Sequence, residues 1–262
     1  MKIYLVLEMV IAVDIINCHK FQCSTEYDKE RQLYPSCIPI KCGRAVRNTG
    51  ELFKPWIERV SAQAKYLFKQ ENMSVSILDV DTRKMLDDGN LRLVEQKKLE
   101  RTKSLISEMV PWVLQTISRD YNIRGLGLTG PLLISRISSM GQNLSHEDNL
   151  DYTSSHVDLY SYKVGFNDNV MGTTFKLISS SFQETLIHMT SILYLQEPHD
   201  GGQLQFEARA GQAIQQVRPV QGRLVTFTSG EENTHSVEEV RAGVRMALTM
   251  FWTCDQDYFI QL

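Results

Sequence analysis

Residues 222–252 read GRLVTFTSGEENTHSVEEVRAGVRMALTMFW. Two apolar runs, 224–227 and 246–251, flank a polar excursion that carries His235 and closes on the turn Gly243-Val244-Arg245. The runs have strand length and the excursion has turn residues, so the stretch reads as strand, loop, strand. Short runs of the same kind recur upstream at 126–139, 156–162, 175–180, 186–195, 203–206 and 212–217, mostly separated by Gly or polar turns. Strands this short and this regularly spaced predict an all-β barrel or double-sheet roll rather than βαβ units.

The N-terminal half has a different texture. Leu52, Trp56, Val60, Ala64 and Leu67 fall near helical spacing and predict a helix over 51–70, with Pro55 in its first turn, where proline is tolerated. Leu99, Leu105, Ile106, Met109, Val113 and Ile117 predict a second helix over 94–118. Its charged residues from Glu95 to Lys103 read as a solvated face, and Pro111 is expected to kink or split it. Between the helices, 83–93 is polar, with Asp87-Asp88-Gly89-Asn90 as a turn signal. The expected organisation is 1–18 as a signal peptide or signal-anchor, 19–50 as a Cys-bearing segment, 51–125 as helical support and 126–255 as the β domain.

The chain of 262 residues is long enough for a sizeable core. A net charge of −3 without a basic stripe argues against nucleic acid as a partner. Met1-Lys2 precedes an apolar run from Ile3 to Ile16, shorter than the roughly 20 residues of a membrane span but as long as a signal-peptide core. Glu8 and Asp14 interrupt it, and the alternative is a buried strand or helix at the start of the fold. Loss of Cys18 with that segment leaves Cys23, Cys37, Cys42 and Cys254, enough for two disulfides in three pairings. Zinc is the rival, but the spacing is not CxxC. The sequons at Asn72 and Asn143 fit a glycoprotein of the secretory pathway, in the endoplasmic reticulum lumen, membrane-anchored or secreted.

Candidate chemistry centres on His156-Val157-Asp158. In a strand, residues i and i+2 project from the same face, so an imidazole and a carboxylate converge. His146-Glu147-Asp148 has the same spacing but sits in a polar loop, a poorer scaffold for two ligands. A third ligand would come from His188, His199 or His235. His188 reads as a core residue, His199 as a solvated turn residue, and His235 as the edge of a strand. Two His and one carboxylate suit non-haem Fe(II). Arg245 begins a buried strand, where a cation needs a partner: either a small carboxylate ligand or one of Glu207, Glu238 and Glu239.

The stretch Gly222–Phe227, His235–Val240 and Gly243–Arg245, with Leu193-Tyr194-Leu195, Gly201-Gly202-Gln203-Leu204-Gln205-Phe206 and His156-Val157-Asp158, resembles the prolyl 4-hydroxylase type of Fe(II)/2-oxoglutarate dioxygenase. The N-terminal motifs Cys23-Ser24, Cys37 to Arg44 and the run from Phe227 to His235 resemble one membrane-anchored group within that family. The resemblance implies a mainly β fold, a double-stranded β-helix or jelly roll buttressed by N-terminal helices. It implies Fe(II) on His156, Asp158 and His235, and 2-oxoglutarate on Arg245, where many prolyl hydroxylases have Lys. It implies O2 as co-substrate, L-ascorbate as the reductant of idle oxidised iron, a peptide or protein substrate and an N-terminal membrane anchor. Arg136, Tyr162, Tyr194 and Thr249 are further candidates for the 2-oxoglutarate pocket. Residues 163–185 look long and read as a substrate lid or a neutral insertion. A non-catalytic jelly-roll binding module and a metal-dependent hydrolase are the competing readings.

Overall fold

The structure is a computed structural model that describes residues 15–49, 53–68, 75–87, 90–139, 187–207 and 215–262. His156, Asp158, Tyr162, the 146–148 alternative, both sequons, residues 1–14, the stretch 163–185 and the strands expected at 156–162 and 175–180 lie outside the described residues. In chain order the elements are β1 (Ile15–Phe21), α1 (Thr25–Leu33), β2 (Cys42–Asn48), α2 (Lys54–Leu67), β3 (Val75–Asp79), β4 (Lys84–Asp87), β5 (Asn90–Leu93), α3 (Gln96–Tyr121) and β6 (Gly127–Ser138). They continue with β7 (Met189–Gln196), β8 (Asp200–Gly201), β9 (Leu204–Phe206), β10 (Gln215–Val217), β11 (Arg223–Thr228), β12 (His235–Val237), β13 (Val240–Ala242) and β14 (Val244–Thr253).

Nine strands form one sheet in the order β1-β2-β11-β7-β14-β6-β3-β4-β5, and β10-β9-β12 form a second. All pairings in both are antiparallel. Strand alternation decides what each face meets. On one face Leu193 and Leu195 of β7, Leu224 of β11, and Met246, Leu248, Met250 and Trp252 of β14 pack with α2 and α3 in the larger core. On the other face Ile192, Tyr194, Val225, Phe227 and Ala247 meet Leu204, Phe206 and Val217 of the small sheet. The result is a jelly roll backed by helices, as expected. The inner face of β7, β11 and β14 is the floor of the candidate site.

Several expectations are corrected. α3 runs unbroken through Pro111. That ring is exposed, so the carbonyl it strips of an intrahelical bond, on the partly exposed Ser107, can turn to water. The stretch 19–50 is more than a Cys-bearing turn region, because it holds α1, the end of β1, and β2, which pairs between β1 and β11 in the large sheet. The expected boundary at residue 18 therefore falls inside β1. The polar stretch 83–93 contains β4 and β5, which pair antiparallel from Lys84↔Leu93 to Asp87↔Asn90. Four cysteines pair as Cys23–Cys42 and Cys37–Cys254, which removes the zinc alternative. Among the described residues no helix is long and apolar enough to cross a membrane.

Candidate functional site

His235 opens β12 opposite Phe206 of β9, and 3 % of its surface is exposed. Its ring lies edge-on to Phe227, with 4.9 Å between centroids, and 5.8 Å from Phe206. Nδ1 is 2.9 Å from the carbonyl of Asn233. With the proton on Nδ1 donated to that oxygen, the lone pair resides on Nε2, the tautomer a metal ligand needs.

The turn that presents His235 is itself held at several points. Residues Glu231–Asn233 form one 3₁₀ turn after β11. Asn233 Nδ2 donates to the Thr228 carbonyl at 2.8 Å, to Thr228 Oγ1 at 2.9 Å and to the Gly43 carbonyl at 3.3 Å. The buried carboxylate of Glu232 accepts from Thr228 Oγ1 at 2.7 Å and from the Ser24 N–H at 3.2 Å. Gly230 leaves room for it, because a Cβ there would stand 2.3 Å from Glu232 Oε2. Glu232 and Asn233 stand in the sequence motif, yet sequence reasoning gave neither a role. Their positioning function shows only when β2 and α1 are seen against the turn.

Arg245 is buried near the start of β14, 3 % exposed. Nε donates to the Gly202 carbonyl at 3.0 Å, and the guanidinium lies 5.1 Å from the centroid of the Tyr194 ring. Gly202 has φ +71° and a Cβ there would come within 3.1 Å of Arg245 Cδ, so glycine is the residue that fits. The three glutamates proposed as ion-pair partners do not serve: Glu238 pairs with Arg241, while Glu207 and Glu239 are exposed. Among the described residues no carboxylate pairs with Arg245. Tyr194 is fully buried beside it, and its hydroxyl has no well-formed hydrogen bond. Burial pushes that phenol's pKa up, against the pull of Arg245. A guanidinium fork and a phenol hydroxyl buried side by side are complementary to a small carboxylate.

The structure brings Tyr194, Thr249 and Arg245 onto one face. Ala247 pairs with Tyr194, and Arg245 and Thr249 flank Ala247 at strand spacing. Arg136 goes elsewhere. It shares the face of Leu132 and Ile134, which belong to the helix-side core, so it does not line the pocket with Arg245. His188 is fully buried, with Nδ1 accepting from the Cys254 N–H at 3.0 Å, and is a core residue as expected. His199 is exposed. Among the described residues no three His, Cys, Asp or Glu side chains cluster as a metal site. His235 fits one iron ligand by its fixed tautomer, and Arg245 with Tyr194 fits the carboxylate end of a keto acid.

The sequence pattern of the 2OG-Fe(II) oxygenase superfamily matches residues 134–253. The chain is similar to human 2-oxoglutarate and iron-dependent oxygenase domain-containing protein 3, at 31% identity over 255 residues, covering 91% of this chain and 70% of that protein. A shorter likeness, 42% identity over 67 residues, is to human prolyl 3-hydroxylase 1, covering 25% of this chain and 9% of that protein. Among solved structures it is similar to a Trichoplax adhaerens prolyl hydroxylase in complex with a hypoxia inducible factor peptide fragment. That match has a TM-score of 0.48 and 17% identity, covering 89% of this chain and 94% of the other.

Proposed function

This chain belongs to the 2-oxoglutarate- and Fe(II)-dependent oxygenases, and from that premise we propose that it hydroxylates a peptidyl side chain, proline being the first candidate. In this reading His156, Asp158 and His235 hold Fe(II), Arg245 takes the distal carboxylate of 2-oxoglutarate, and Tyr194 and Thr249 line the same pocket. Bound Fe(II), with 2-oxoglutarate and O2, supplies the oxidising power, releasing succinate and CO2 and leaving a hydroxyl on the substrate. The protein's part is positional. Asn233 holds the His235 ring, the Phe206 and Phe227 rings keep water from its flank, and Arg245 fixes the co-substrate's far end. The observation that carries the reading is Arg245, buried with no carboxylate partner among the described residues beside the fully buried Tyr194.

The likeness to a prolyl 3-hydroxylase supports a prolyl target. Ascorbate would restore iron oxidised without turnover. Two disulfides support an oxidising compartment, hence the secretory pathway with the sequons glycosylated and the residues ahead of β1 as leader or anchor. The test is succinate formation from 2-oxoglutarate with added Fe(II). His156→Ala and His235→Ala are each expected to abolish it, and activity surviving in both overturns the iron assignment.

A further inference from the structure

We propose that Arg44 is a specificity-determining residue that receives a carboxylate of the peptide substrate, one aromatic ring away from His235. The inference rests on the oxygenase reading and adds a substrate property to it: an acidic group near the residue to be oxidised.

β2 carries two buried arginines with opposite fates. Arg47 is matched, its Nε donating to Asp120 Oδ2 at 2.6 Å and its Nη2 to Oδ1. Arg44 pairs in register with Phe227, which puts it on the inner face. Its guanidinium lies 4.3 Å from the centroid of Phe206 and 5.1 Å from that of Phe21. Phe206 is the ring that lies against His235. Among the described residues no carboxylate forms an ion pair with Arg44. It reaches only the Glu232 carbonyl, at 3.5 Å, and Nε has no hydrogen-bond partner although the residue is 4 % exposed. The Glu232 carboxylate is already engaged by Thr228 and Ser24. Burial draws the Arg44 pKa down to about 10, which still leaves a cation at neutral pH.

The Glu232 carboxylate offsets part of the Arg44 charge through space but forms no ion pair with it, so the buried guanidinium keeps unfilled donor capacity for a partner from outside. The two rings lie against the guanidinium carbon, and Nε is left without an acceptor. A planar carboxylate matches a guanidinium with two parallel bonds and also neutralises the charge, which a peptide carbonyl does not. Access follows the same face. His19, the register partner of Arg44 on β1, is exposed, and Phe21 is half-buried. Exposed His19 and half-buried Phe21 thus border Arg44 on one side, and Phe206 and His235 lie on the other.

The carboxylate has two sources, an Asp or Glu side chain or a peptide C-terminus. The test is anisotropy binding of labelled proline-containing hexapeptides to the full chain, without iron or 2-oxoglutarate. One set walks Glu or Gln through each position with an amidated end; the other keeps neutral side chains with a free or amidated end. In one set the acid is expected to bind about tenfold tighter than its amide, and the set names the source. Arg44→Gln is expected to close the gap and Arg44→Lys to keep part of it. No gap in either set, or a gap that survives Arg44→Gln, overturns the proposal. Absence of a gap in the wild type overturns the proposal without any variant, and where Arg44→Gln folds poorly Arg44→Lys, which keeps the charge, serves for attribution: a gap left undiminished in it overturns the proposal. Because iron is absent, failure here leaves the succinate assay to judge the oxygenase reading separately.

Discussion

Burial holds the imidazole of His188 neutral, with its pKa drawn from 6.5 down to about 4 against the opposing pull of Asp255. Above pH 6.5 neither folded nor unfolded chain carries a proton there. Between 6.5 and about 4 only the unfolded chain binds one, so stability falls as pH falls, by about 3 kcal/mol for this residue. His188→Gln keeps an acceptor for the Cys254 N–H and removes that slope. Thermal melts of both proteins across this window check it, and equal slopes refute it. Arg245 gives the second prediction at this scale. With its guanidinium gone, the carboxylate of 2-oxoglutarate loses its charged partner, and Arg245→Ala is expected to raise the 2-oxoglutarate requirement about 30-fold or more. An unchanged requirement in succinate assays removes Arg245 from the pocket. The arginine was legible as a cation at the start of a buried strand. That no described carboxylate pairs with it was not, because Glu238 is consumed by Arg241, which also binds Asp200 of β8.

At the scale of elements, the strands with apolar alternation and the two long amphipathic helices were legible to within a few residues. β2 was not. Its sequence CGRAVRN shows no alternation and six of its seven residues are buried. Its arginines are accommodated by Asp120, Phe206 and Phe21, partners near in space only. α1 was missed as well, although Ser24 caps it by accepting from the Tyr27 N–H and the residues after it favour helix. These missed elements support the site. The Arg47–Asp120 pair ties β2 to the last turn of α3, and Asp120→Asn is expected to cost about 3 kcal/mol, measured by denaturant unfolding. Asn233 ties the His235 turn to Gly43 of β2. Asn233→Ala is expected to weaken Fe(II) binding about 10- to 100-fold in an equilibrium titration, by loosening the turn whose carbonyl orients the imidazole. Unaltered affinity means the turn holds its shape without that side chain.

Across the whole molecule, segments far apart in sequence meet. Cys37 and Cys254 are 217 positions apart and join the segment between α1 and β2 to the residue after β14. α1 also lends Tyr27, whose hydroxyl donates to the His188 carbonyl ahead of β7. The jelly roll and its N-terminal segment therefore form one folded unit, which a division of the sequence by texture alone separated. Spacing within 222–252 and the His-x-Asp pair were enough to suggest the chemistry. The reach of the N-terminal residues to the site was hidden because it depends on long-range pairing. The most direct test of the account is anaerobic absorption of the protein loaded with Fe(II) and 2-oxoglutarate. The account predicts a visible metal-to-ligand charge-transfer band that needs both additions, is absent from His235→Ala, and calls for far more 2-oxoglutarate in Arg245→Ala. A wild-type protein that shows no such band, or a band that His235→Ala retains, contradicts it.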